Sequence, residues 1–218
     1  MRDHRAGRRT ALLEIALLLG VVHSYMWLWG GSFPGSFIVV GVAVLTLAIG
    51  SAWARGEGLR ELGIRLDTFP AALRDAAAVT IPVAAGILVG GAWLGTVRAD
   101  WPIVVARLPW LVGWGFLQQI VLQGFVHRRV GEILERDDLR QALTAAIFAF
   151  CHLPNPPLVA ATFVGGWIWA RIFRRAPNLL ALALSHGVGS GALSIAFGPA
   201  LLHGMRVGRG YFTYLPPA

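Results

Sequence analysis

The chain alternates long apolar runs with short charged or proline-rich breaks. Runs at residues 11–29, 36–54, 76–97, 102–126 and 179–197 approach the roughly 20 residues that a helix needs to cross a bilayer. Shorter runs at 141–153 and 158–173 bring the number to seven, and the first of these is short enough to begin or end inside the protein. The breaks carry recognisable stop signals: Gly-Ser-Phe-Pro-Gly at 31–35, a charged stretch at 55–70, and Pro154-Asn155-Pro156-Pro157. Pro82 falls inside the third run, where packed neighbours can absorb one proline. The pattern predicts an all-α fold, a polytopic transmembrane helix bundle of about seven spans. It forms a single membrane domain over residues 1–218, with a basic lead at 1–10 and a C-terminal tail at 198–218. The first run opens like a signal peptide but is too long and lacks the small-residue cleavage site, so an uncleaved span is expected. Glu14, near its start, is expected to snorkel to the interface.

Composition narrows the class. Hydrophobic residues make up 56% of the chain and charged residues only 14%, too few to cover a water-soluble domain. The net charge of +8 is carried by arginine alone, and these arginines sit between apolar runs rather than along one helix face. That distribution argues against nucleic acid as a partner and for membrane topology. With a cytoplasmic N-terminus, fifteen of the nineteen arginines fall on the inner side, and only Arg98, Arg107, Arg206 and Arg209 fall outside. The single cysteine, Cys151, excludes an internal disulfide and cannot build a zinc cluster alone.

The candidate chemistry is a small set of polar residues buried in the runs. Gln118, Gln119 and Gln123 sit in the fourth, His152 closes the fifth, and His186 and Ser190 share a face of the seventh. At about 1.5 Å per residue, Gln119, His152 and His186 lie roughly 12 to 18 Å from the arginine-marked edge. That is the middle of a core about 30 Å thick. Polar groups at one depth on separate spans are expected to face a shared cavity, because hydrocarbon does not solvate them. Gly187, Gly189 and Gly191 should let a neighbouring helix approach closely. No metal or other cofactor is expected, since two histidines lack a third ligand at that depth. Cys151 as a nucleophile is disfavoured by burial, and Glu132, Glu135, Asp137 and Asp138 read as solvated loop charges.

These residues, in this order, resemble the CPBP family of intramembrane proteases, which includes the type II CAAX prenyl endopeptidases and bacteriocin-processing or immunity proteins. The family's Glu-Glu-x-x-x-Arg motif aligns with Gln118-Gln119-Ile120-Val121-Leu122-Gln123, and its Phe-x-x-x-His with Phe148-Ala149-Phe150-Cys151-His152. Its His-x-x-x-Asn aligns with His186-Gly187-Val188-Gly189-Ser190, and Glu61-Leu62-Gly63-Ile64-Arg65 resembles the loop before the core. The likeness covers about residues 59–197. It implies hydrolysis of a peptide bond in or near the membrane, with membrane lipid and a peptide or protein substrate as partners. It also implies a multi-pass location in a bacterial plasma membrane. In the family a motif glutamate activates water while the histidines and asparagine hold the oxyanion. Glutamine cannot take up a proton at neutral pH, so the resemblance leaves two readings open. One is an endopeptidase with an atypical centre in which a histidine is the base. The other is an inactive relative that binds a membrane segment, lipid or partner peptide in the same cavity. A Gln119–Gln123 hydrogen bond is expected where the family has an ion pair.

Overall fold

In a computed structural model, which describes residues 2–97 and 101–215, the protein is an all-helical, polytopic membrane bundle. Arg98, part of the outer-side arginine set, lies outside the described residues. The elements are α1 (Arg2–Ser24, continued by a π-helical turn Tyr25–Trp29), α2 (Ser36–Ala54), α3 (Phe69–Trp93) and α4 (Trp101–Gln119). A π-helical stretch, Ile120–His127, joins α4 to α5 (Arg128–Ile133). Then come α6 (Asp137–Phe150), α7 (Pro156–Arg175), α8 (Leu179–Ala196) and two short turns, α9 (Pro199–Leu202) and α10 (Arg209–Phe212).

Local sequence explains where they start. Gly35 adopts φ 77°, a left-handed conformation that suits glycine, and turns the chain into α2. Asp137 and Asp138 place negative charge at the positive end of α6. The Asn155 side chain accepts from the Leu158 amide and the Asn178 side chain from the Ala181 amide, capping α7 and α8. Pro156 and Pro157 occupy first-turn positions of α7, where no amide hydrogen is needed.

Among the described residues, five helices are long and apolar enough to cross a membrane. The other two expected segments fall outside that set: α6 has 14 residues, and α7 ends in Arg171, Arg174 and Arg175. The outer surface is apolar, with Trp53 and Trp93 at 82% and 86% exposed, as hydrocarbon rather than water requires. Some boundaries differ from expectation. The third helix begins at Phe69 because Pro70 fits its first turn. The fourth segment continues through the π stretch to Ile133. The fifth stops at Phe150, so Cys151 and His152 lie on a turn, not a helix face.

Helix α8 is the axis of the bundle, flanked by α3 and α4. Glycines set the separation. A Cβ on Gly187 would lie 2.7 Å from Val112 Cγ2, and one on Gly91 would lie 2.6 Å from the Ala196 carbonyl oxygen. At the arginine-rich end an ion cluster ties α1, α2, the following loop and α5. Arg129, with no exposed side-chain surface, is 2.8 Å from both Glu57 and Glu132 and 3.0 Å from Ser51 Oγ. Arg55 bridges Glu14 at 2.8 Å and Glu132 at 3.0 Å. Glu14 therefore pairs inside the protein rather than snorkelling, and Glu132 is a cluster member rather than a solvated charge. The physical reason is the buried Arg129, whose guanidinium demands carboxylate partners. Asp137 and Asp138 also pair, with Arg174 and Arg136.

Candidate functional site

The end of α4, the turn after α6, and α8 bring Gln118, His152, His186 and Ser190 to one cavity of about 330 Å³. Gln119 lies behind them, fully buried, with its Nε2 3.5 Å from His186 Nδ1. The close approach depends on Gly115, where a Cβ would come within 3.2 Å of the His186 side chain. Trp169 stacks on His186 with centroids 4.6 Å apart and donates to Ser185 Oγ at 2.8 Å. Ser185 Oγ is in turn 2.6 Å from Thr80 Oγ1 on α3. Phe148 presents edge-on contacts to both histidines, 4.7 Å from His152 and 6.0 Å from His186. Each imidazole is thereby fixed by an aromatic ring on one side and a polar contact on another.

The polar contacts set the ring protons. His152 Nδ1 is 2.7 Å from the Phe148 carbonyl oxygen, which can only accept, so Nδ1 donates. In the neutral ring this leaves Nε2 with a lone pair. His186 Nδ1 lies 3.5 Å from the Gln119 side-chain amide, whose oxygen is buried without a partner; with the amide nitrogen on the histidine side, Nδ1 accepts and Nε2 carries the hydrogen. That amide orientation gives the two histidines opposite tautomers, one offering a proton acceptor and the other a donor. Among the described residues, no aspartate, glutamate or arginine lines this cavity.

Gln123 departs from the expected arrangement. It is fully buried but lines no part of the cavity, and both its amide oxygen and nitrogen lack a partner. The expected Gln119–Gln123 bond is absent, because α8 packs close enough for Gln119 to reach across to His186 instead. The Gln118 and Gln119 side-chain oxygens are likewise buried and unpartnered. Gln123 sits inside the π stretch, a feature that recurs at functional sites and for which the local sequence gives no signal. Cys151 borders a second, neighbouring cavity rather than this one. Among the described residues no group of three His, Cys, Asp or Glu side chains could hold a metal ion.

Trp169, Ser185, Thr80 and the tail residues Met205 and Val207, which also line the cavity, were not legible as site residues. Ser185 could have been suspected beside His186. The tail gives no such hint, because it is brought back by Asn155, whose Nδ2 donates to the Leu202 and Arg206 carbonyls at 2.8 and 3.1 Å.

Residues 99–191 match the family model described as type II CAAX prenyl endopeptidase Rce1-like. The match includes Gln118, Gln119, Gln123, His152, His186 and Ser190 and ends before the tail. No curated protein and no solved structure matches the chain.

Proposed function

With an Rce1-like domain of the CPBP family at residues 99–191 as the premise, we propose that this protein is a membrane-embedded endopeptidase that works without a carboxylate base. Its N-terminus faces the cytoplasm, its substrate is a peptide or protein segment at the membrane, and His152 activates the water. The observation that carries the reading is one cavity lined by His186, Ser190 and His152, whose Nδ1 donates to the Phe148 carbonyl and leaves Nε2 as a proton acceptor.

The steps follow from the atoms. His152 Nε2 removes a proton from water as the water oxygen attacks the peptide carbonyl carbon. The oxyanion that forms is held by His186 Nε2–H and the Ser190 hydroxyl, donors from two residues that line the same cavity. The C–N bond breaks as the tetrahedral species collapses, and the His152 imidazolium returns its proton to the leaving amine. The products are one carboxyl and one amino end. Gln118 Oε1, buried and unpartnered, supplies an acceptor for a substrate backbone N–H. The second reading, binding without hydrolysis, is favoured by the absence of any acid among the residues lining the cavity.

Purified protein in liposomes, offered a library of membrane-proximal peptides, tests the proposal. Cleavage by the native sequence should fall about 10²-fold or more in His152→Ala and in His186→Ala. Peptides that bind the native protein and stay intact would replace hydrolysis with the binding reading.

A further inference from the structure

The second cavity, of about 280 Å³, adjoins the first, and Trp114, Gln118, His152 and Val207 line both. The two differ in chemistry. Beyond the shared residues, the first holds His186, Ser185, Ser190, Thr80 and Thr162, whereas the second is aliphatic and aromatic apart from Tyr25 and Cys151. Much of the second wall comes from the first two helices and the π turn between them, through Leu18, Val22, Met26, Gly41 and Val44. Those residues lie outside the family-matched segment. Phe37 and Leu117, on its rim, are 51% and 39% exposed, so the cavity opens sideways toward hydrocarbon between α2 and α4.

We infer that this cavity receives a large apolar side chain flanking the bond presented to His152, making α1 and α2 the elements that select the substrate. The inference rests on the hydrolytic reading for the word substrate; the pocket itself needs only that a peptide binds. Because His152, Gln118 and Trp114 line both cavities, a peptide carbonyl placed between His152 and His186 lies beside this space. Its volume falls just below the range of small-ligand pockets, about 300 Å³ upward. It therefore suits one bulky side chain rather than a folded partner. A polar side chain there would lose water and find almost no partner. Gly41 marks free space, since a Cβ built on it meets nothing within 4 Å.

The test uses the full-length protein in liposomes and peptides that differ only at the residue beside the cut, carrying alanine, leucine, phenylalanine or photoreactive benzoylphenylalanine. Binding and cleavage are read separately. The phenylalanine peptide should bind about 10-fold tighter than the alanine peptide, and the photoreactive one should crosslink to Met26 or Val44. Gly41→Leu, and as a second blocking variant Val44→Phe, should bring the phenylalanine-to-alanine ratio toward one. Equal binding of the two peptides, no crosslink, or crosslinks confined to α3, α7 and α8 would overturn the inference. So would a copurifying acyl lipid that fills the cavity and that no peptide displaces. Selective binding and α1–α2 crosslinks with no cleavage would support the pocket while contradicting the hydrolytic reading.

Discussion

A histidine can present either a lone pair or a proton from the same ring position, and its neighbours decide which. Here the deciding neighbours are a backbone carbonyl for His152 and the Gln119 amide for His186. Reversing one of them should matter even where the histidine itself is kept. Gln119→Leu removes the donor that holds His186 Nδ1 as an acceptor, and cleavage should fall about 10-fold or more with the fold retained. Ser190→Ala removes one of the two oxyanion donors we propose and should lower kcat by about 10²-fold, with KM little changed. Rates on a single peptide substrate check both. At this scale the sequence was informative about identity and poor about partners. His152, His186 and the glutamines stood out as polar residues at one depth, but nothing along the chain pairs Gln119 with a residue 67 positions away.

Glycine placement governs how the helices meet. Gly90 and Gly91 are neighbours on α3, yet a Cβ on Gly91 collides with the Ala196 backbone at 2.6 Å while one on Gly90 meets nothing within 4 Å. Gly91→Ala should therefore destabilise the protein by about 1–3 kcal/mol through forced separation of α3 and α8. Gly90→Ala should be neutral or slightly stabilising, by up to about 1 kcal/mol, because alanine suits a helix interior better. Thermal unfolding in one detergent, run on both, makes the comparison internal. The glycines near His186 were legible as a close-packing surface, but only Gly187 is pressed against α4; Gly189 faces open space. Hydropathy located the apolar segments because each must satisfy its own backbone in lipid. It did not locate the π stretch at Ile120–His127, nor the end of α6 at Phe150, since neither changes the apolar pattern.

For the whole molecule, the ion cluster joins parts of the chain that sequence keeps far apart, Glu14 with Arg55 and Glu57 with Arg129. Spacing along the chain cannot reveal such pairs, and position alone predicts only an interfacial Glu14. Burial pushes the Glu57 carboxyl up, but hydrogen bonds from Arg129 and Arg128 outweigh it and leave the group below its ordinary 4.5. The stabilisation from Glu57 is thus complete above about pH 4.5 and is lost as pH falls through its lowered folded value. Melting temperature should hold from pH 7 to 5 and then drop, and Glu57→Gln should melt lower at pH 7 with a shallower acid limb. Arg129→Met should cost about 1–3 kcal/mol, because it removes the buried guanidinium shared by Glu57 and Glu132 and leaves them to Arg128 and Arg55. Orientation is tested on a Cys151→Ser background. The added thiol of Arg9→Cys should react with an impermeant reagent only from the cytoplasmic side, and that of Arg209→Cys only from the other.

The most direct measurement is the rate at which native protein, His152→Ala and the double variant His152→Ala/Gln118→Glu cut one peptide in liposomes. Native protein should cut, the single variant should not, and activity should partly return when the carboxylate introduced by Gln118→Glu, on the wall shared with His152, supplies a proton acceptor. That pattern would be the signature of a base moved from carboxylate to imidazole. Cleavage by His152→Ala at the native rate would contradict that account.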